Sequence, residues 1–114
     1  MKIHCHCQNI KIEAPEPERL TICNCSICSR YQALWGYYTP NSVTINVGQH
    51  GEKAYCWGDQ CIEFVSCGYC GCITHYRTLD KDPRPRIAVN FRMVDEETVA
   101  DIPIRHFDGK NLLK

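Results

Sequence analysis

Seven cysteines fall into three short groups: C-H-C at residues 5–7, C-N-C-S-I-C at 23–28 and C-G-Y-C at 67–70. Thiols two residues apart in a turn can aim at one ion, and a small residue such as Gly68 permits the tight path between them. Cys5 and Cys7, at i and i+2, share a side if they lie on a strand. Taken together, the first and last groups offer Cys5, Cys7, Cys67 and Cys70, enough to fill a tetrahedral zinc site. Such a site is chemically quiet and contributes folding energy by tying the N-terminus to a hairpin some 60 residues away. The sequence leaves two alternatives open: a pairing in which the middle group takes one member of the outer set, and disulfides or free thiols.

The middle group then has three sulfurs, Cys23, Cys25 and Cys28, and no adjacent fourth. Three protein ligands leave a zinc position for water or substrate, which is what a catalytic site needs. Three thiolates on Zn²⁺ carry a net charge of about −1, so this ion is a weaker Lewis acid than one held by three neutral histidines. It suits a fourth thiolate and points to a thiol substrate rather than hydrolysis. The expectation is two zinc ions per chain. Cys56, Cys61, Cys72, His50 and His75 are rival donors. Cys72 lies close to the outer set, Cys56 and Cys61 flank a turn as core or near-surface thiols, and His50 and His75 read first as satisfied surface or core histidines and second as candidates to close the middle site. Alternation turns His4 and His6 away from the first-group sulfurs.

The elements that must position these groups read as short and mostly extended. Residues 3–13 suggest a strand carrying Cys5 and Cys7, ended by A-P-E-P-E at 14–18, where each proline fixes φ and lacks a donor. Residues 20–23 run extended into the middle group, and 26–31 predict a short helical turn. Strands follow at 33–38, 43–47, 53–57, 62–67 and 73–79, punctuated by T-P-N-S, G-Q-H-G-E and Gly58-Asp59. The polar loop D-K-D-P-R-P-R leads to I-A-V-N-F, a turn or short helix is expected within 91–99, and D-I-P-I-R-H-F-D-G closes the pattern. This is a small, mostly-β chain with irregular loops and short helical turns. Trp35 and Tyr37 share one strand face and Tyr38 the other. These aromatics and Tyr31 either pack the sheet or wall a shallow pocket. Ser26, Arg30 and Tyr31 are near the middle group in sequence, with Arg30 a possible partner for a substrate carboxylate.

With 114 residues and ten cysteines, the chain predicts one domain, 1–114, that gains stability from metals or disulfides. Thirteen basic and thirteen acidic residues cancel, which argues against a nucleic-acid reader. No run of 18 apolar residues and no secretory signal appear, so no membrane partner and a cytoplasmic location are expected, where paired cysteines hold metal or do thiol chemistry.

In order, C-H-C-Q-N-I-K-I-E (5–13), C-N-C-S-I-C-S-R (23–30), S-C-G-Y-C-G (66–71), I-A-V-N-F-R (87–92) and F-D-G (107–109) resemble the family of glutathione-dependent formaldehyde-activating enzymes and centromere protein V. The resemblance spans nearly the whole chain. It implies an Mss4-like β fold, a structural zinc on Cys5, Cys7, Cys67 and Cys70, and a second zinc on Cys23, Cys25 and Cys28. It also implies carbon–sulfur lyase chemistry, S-hydroxymethylglutathione in equilibrium with glutathione and formaldehyde. Ser66 stands where the family commonly has an aromatic, a departure that touches packing more than chemistry. The competing expectation is a non-catalytic zinc-stabilised binding or scaffold module, distinguished by a fourth protein ligand at the middle zinc.

Overall fold

A computed structural model describes residues 1–57, 62–79 and 82–112. At the N-terminus, β1 (Lys2–His4) and β2 (Ile10–Glu13) pair antiparallel, with Ile3 opposite Ile12, and β5 (Thr44–Val47) adds to β2. Residues 3–13 are therefore a hairpin and not the single strand that their loose alternation predicts. The chain reverses through Gln8, whose φ of 68° is left-handed, and the turn closes with Gln8 N–H donating to Cys5 O (3.0 Å) and Cys5 N–H to Ile10 O (3.1 Å). Cys5 and Cys7 consequently stand in a turn, where the backbone curls around a point and brings the two sulfurs together.

The larger sheet comprises β3 (Leu20–Cys23), β4 (Trp35–Tyr38), β6 (Glu52–Trp57), β7 (Ile62–Cys67), β8 (Ile73–Thr78), β9 (Ile87–Asn90) and β10 (Ile104–Phe107). Its order is β10-β3-β4-β9-β8-β7-β6, antiparallel throughout except for the parallel β10–β3 edge, where Phe107 lies opposite Cys23. The fold is thus mostly β, as the sequence predicts. The turn at Gly58-Asp59 and Cys61 lie outside the described residues.

Period-two alternation divides the central strands between two apolar clusters. Leu20 and Val89, with Leu34 and Phe91, join Ile3, Ile10 and Ile12 of the hairpin in one. Trp35, Phe64, Tyr76 and Ala88 form the other, on the opposite face, where they meet Ile27 and Cys28 of the helix α1 (Ser26–Tyr31). Each fully buried large side chain in these clusters contributes about 1.5–3 kcal/mol of transfer free energy. Trp35 and Tyr37 share a face and both pack on Tyr76, with ring centroids 5.0 and 6.3 Å away. Tyr38 turns to the other side and donates its hydroxyl to Pro15 O at 2.6 Å.

Two segments with weak sequence signals are short 3-10 turns, Phe91–Met93 and Glu96–Val99, and a short helix α2 (Gly109–Leu112) follows β10. Among the described residues, no helix is long and apolar enough to cross a membrane.

Candidate metal centres

The sulfurs of Cys5, Cys7, Cys67 and Cys70 all lie within 4.8 Å of one another. The Cys5–Cys7 and Cys7–Cys67 separations are 3.7 and 3.5 Å. A tetrahedral zinc with bonds of about 2.3 Å requires sulfurs about 3.8 Å apart, so this quartet fits that ion. Two loops supply it: the β1–β2 turn, and the turn following β7. Gly68 explains the second. Its N–H donates to Gly51 O at 3.0 Å, and a Cβ there would stand 2.1 Å from His50 O, so only glycine lets the cysteine turn press against the 48–51 loop.

Backbone and amide N–H groups converge on these sulfurs. Ile10 N–H reaches Cys5 Sγ (3.3 Å), while Tyr69 N–H (3.3 Å), Cys70 N–H (3.4 Å) and Asn9 Nδ2 (3.4 Å) reach Cys67 Sγ. Asn9 is the knot between the loops: Nδ2 also donates to Gly51 O at 2.9 Å, and Oδ1 accepts from His50 N–H at 3.1 Å. The thiols respond unequally. Burial pushes Cys5 up to about 12 despite the Ile10 N–H. At Cys67 burial also acts upward, but the Tyr69 and Cys70 N–H groups and Asn9 outweigh it and bring the thiol down to about 7. Cys70, likewise opposed by burial, is brought to about 6 by the Cys72 and Cys7 backbones and the neighbouring thiols. Two thiols that ionise readily beside Cys5, which does not, form a donor set that a divalent cation would complete.

The second cluster is Cys23, Cys25 and Cys28, again with all sulfurs within 4.8 Å of one another. Among the described residues, no fourth cysteine, histidine or carboxylate meets that condition. Cys23 ends β3, Cys25 caps α1 with its sulfur accepting from Cys28 N–H at 3.5 Å, and Cys28 lies one turn into the helix. Trp35 Nε1 donates to Cys28 Sγ at 3.4 Å from beneath. Burial pushes the Cys28 thiol well above its usual range, the indole N–H acting against it, and burial likewise raises Cys23. Burial opposes ionisation of Cys25 as well, yet the Cys28 N–H and the two neighbouring thiols leave it lowered. Three converging sulfurs with one favoured as thiolate also fit a soft divalent cation.

Two motifs that add no sulfur to the cluster hold this helix in place. In N-F-R, Asn90 Oδ1 accepts from Leu34 N–H and Arg92 N–H, both at 3.1 Å, and Nδ2 donates to Ile73 O at 2.8 Å. Arg92 Nε then donates to Gln32 O at 2.9 Å, where α1 ends in a left-handed residue. In F-D-G, Asp108 accepts from Asn24 Nδ2 at 2.9 Å while Asn24 Oδ1 accepts from Lys110 N–H at 2.8 Å. This reciprocal clamp fixes the residue between Cys23 and Cys25. The sequence contains both motifs without revealing their partners, which lie 17, 56 and 60 positions away for N-F-R and 84 and 86 for F-D-G.

The rival donors are placed elsewhere. His50 stacks on Tyr69 at 4.4 Å between ring centroids, on the rim of a hollow that includes Cys7. His75 is fully buried, with Nδ1 2.8 Å from Thr74 Oγ1. Neither joins the middle group; they take the surface and core roles that the sequence favours for them. Cys56 is exposed, its sulfur 3.9 Å from Glu63 Oε2, and Cys72 accepts Cys67 N–H through its carbonyl oxygen beside the quartet without entering it. Ser26, Ile27, Arg30 and Tyr31 on α1 face Tyr55 and Trp57 of β6 across an open cleft of about 350 Å³. The pocket-wall expectation thus holds for Tyr31, whereas Trp35 is core. Tyr55 and Trp57, 54% and 43% exposed, are cleft residues that sequence reasoning missed. Their alternation with Ala54 and Cys56 was the available signal.

A small two-sheet β fold holding two thiol clusters able to take metal defines the class of protein. The pattern of one family, described as glutathione-dependent formaldehyde-activating enzyme, matches residues 1–107, and the chain belongs to that family. No curated protein matches. A solved structure, a Rhodobacter sphaeroides protein determined as a structural genomics target, is similar in fold with a TM-score of 0.74 and 23% identity. The match covers 92% of this chain and 100% of that one.

Proposed function

We propose that the chain is a zinc-dependent carbon–sulfur lyase-like enzyme acting on a small thiol adduct, such as S-hydroxymethylglutathione in equilibrium with glutathione and formaldehyde. The observation that carries this reading is the three-sulfur cluster, with no fourth donor among the described residues, beside an open cleft. Cys5, Cys7, Cys67 and Cys70 would hold a structural zinc, and Cys23, Cys25 and Cys28 a second zinc with one position free. Bound there, the metal would hold an incoming thiol in its thiolate form and fix the sulfur beside a carbonyl carbon.

The residues around it set the conditions. Trp35 and the apolar layer of Phe64 and Tyr76 keep water from the inner side of the cluster, which strengthens charge interactions within it. Arg30, tied by Nη1 to Ser26 O at 2.7 Å, presents a cation to the cleft for a substrate carboxylate. Cysteines gathered into two clusters that fit a metal suit a reducing compartment, and the reading is of a cytoplasmic, single-domain enzyme spanning 1–114.

Native mass spectrometry with elemental analysis, before and after glutathione is added, tests the reading. The expected result is two zinc ions and a glutathione adduct that is lost in Cys25→Ser. Two tightly held zinc ions with no thiol binding would overturn it in favour of a binding or scaffold module.

A further inference from the structure

Addition of sulfur to a carbonyl places charge on the carbonyl oxygen, and some group must meet it. On α1, Arg30 is held by Ser26 O and is assigned to a substrate carboxylate. The sheet beneath offers another group. Strands β4, β9 and β8 set Tyr37, Ala88 and Tyr76 abreast on the face that α1 covers. The small Ala88 lets the two phenols approach with ring centroids 6.3 Å apart.

Tyr76 is held from the far side. Arg86 Nε donates to its hydroxyl at 3.2 Å, the guanidinium carbon stands 5.6 Å from the ring centre, and Arg86 Nη1 is anchored to Asp82 Oδ2 (3.3 Å) and Arg84 O (3.2 Å). Tyr37 is 41% exposed, so solvent reaches it. Trp35, two residues earlier on the same strand face and packed on the same Tyr76, donates to Cys28 Sγ at 3.4 Å, so Tyr37 stands on the face that carries the cluster. Burial first, then Tyr76, then the Cys28 and Cys23 sulfurs hold its phenol above the usual range, and it keeps its proton at neutral pH.

We propose that the Tyr37 hydroxyl is the donor to the substrate oxygen at the Cys23–Cys25–Cys28 site, with Tyr76 and Arg86 as positioning residues. This rests on the reading of that site as a thiol–carbonyl centre. In the addition direction the thiolate sulfur bonds to the carbonyl carbon, the C=O π pair moves to oxygen, and that oxygen takes the Tyr37 proton. The proton released when the thiol ionised returns to Tyr37 through water on its exposed side. In the cleavage direction the same transfers run in reverse: the C–S electron pair stays on sulfur, Tyr37 gives its proton through water to that thiolate, and it takes the hydroxyl proton in its place.

The test uses the zinc-loaded full chain with glutathione and ¹³C-formaldehyde, turnover being read by exchange NMR and binding by calorimetry. Tyr37→Phe should lower turnover about 100-fold, the usual loss for one donor to a developing oxyanion, while glutathione affinity stays within about twofold. Tyr76→Phe should lose about tenfold through misplacement of Tyr37, with glutathione binding unchanged. Tyr38→Phe, whose hydroxyl points to the other face, should match the wild type. As a second readout, the wild type should bind the formaldehyde–glutathione adduct more tightly than glutathione, and Tyr37→Phe should lose that preference. Retention of turnover within about threefold in Tyr37→Phe would overturn the inference, as would wild-type protein that binds glutathione but neither turns over nor prefers the adduct; the thiol-site reading would survive both. A wild type that binds no thiol would overturn that reading and this inference with it.

Discussion

Replacing Trp35 with phenylalanine separates packing from metal chemistry at the second cluster. The indole is fully buried, packs on Phe64 and Tyr76, and makes one polar contact, Nε1–H to Cys28 Sγ at 3.4 Å. Phenylalanine keeps most of the ring contact but removes the donor and three ring atoms. The packing loss amounts to about 1–3 kcal/mol, as for other reductions of buried volume. The lost donor adds about 1.5 kcal/mol, the lower end for a hydrogen bond to a charged group given its length. Only the second term concerns the thiolate. Burial already holds the Cys28 thiol high, with the indole opposing it, so the variant raises that thiol further and makes its deprotonation by a metal costlier. Affinity at the second cluster should fall about tenfold, within the range known for partners of metal ligands. Competition with a chromophoric chelator reads that number, and urea unfolding of the metal-free protein reads the packing term. Phe64→Leu, which perturbs the same cluster without touching a sulfur, should lose stability at unchanged metal affinity. Equal affinity in Trp35→Phe and wild type would refute the assignment of the indole as a partner of a thiolate ligand.

Other expectations follow from single contacts. Gly68→Ala drives a Cβ to 2.1 Å from His50 O, and should cost at least about 2 kcal/mol and weaken zinc retention at the first quartet, read by thermal unfolding and metal content. Asn90→Ala abandons two N–H groups and a carbonyl that it now satisfies, so urea unfolding should show a loss of about 3 kcal/mol and faster exchange of the Leu34 and Arg92 amides. His75 titrates near 4, lowered first by burial and then by Arg77. Its unfolded form takes up a proton near pH 6.5, so its contribution is complete above that pH and is lost as pH falls toward 4. The loss is bounded by about 3 kcal/mol, and the stability profile of metal-free His75→Leu should be flatter than wild type across that window.

The sequence speaks most clearly where one physical requirement dominates. Strand alternation placed Trp35 with Tyr37 and against Tyr38 because a pleated backbone offers only two faces. Cysteine spacing grouped the seven sulfurs because turns of two or three residues leave few ways to converge. It failed where a local conformation overrode periodicity: Gln8 at positive φ turns an apparent strand into a hairpin, and no residue type at that position announces it. Long-range partners were equally hidden. Asn9, Asn90, Arg92 and Asp108 look like ordinary polar residues, and their meaning lies in carbonyls and amides that the fold brings from other segments of the chain.

That difference bears on how the second cluster is built. Its three sulfurs come from one six-residue stretch, so the ligand set needs almost no tertiary structure, whereas the first quartet exists only once residues 5–7 and 67–70 meet. The surroundings of the second cluster reverse this economy: Trp35, Tyr37, Tyr76, Arg86 and the N-F-R clamp all arrive through β4, β8 and β9. Metal capture and reactivity therefore depend on separable parts of the chain. Substitutions in the β4–β9–β8 layer can alter the chemistry of the site while leaving its cysteines together, and relatives that keep the cysteine pattern need not keep the reaction.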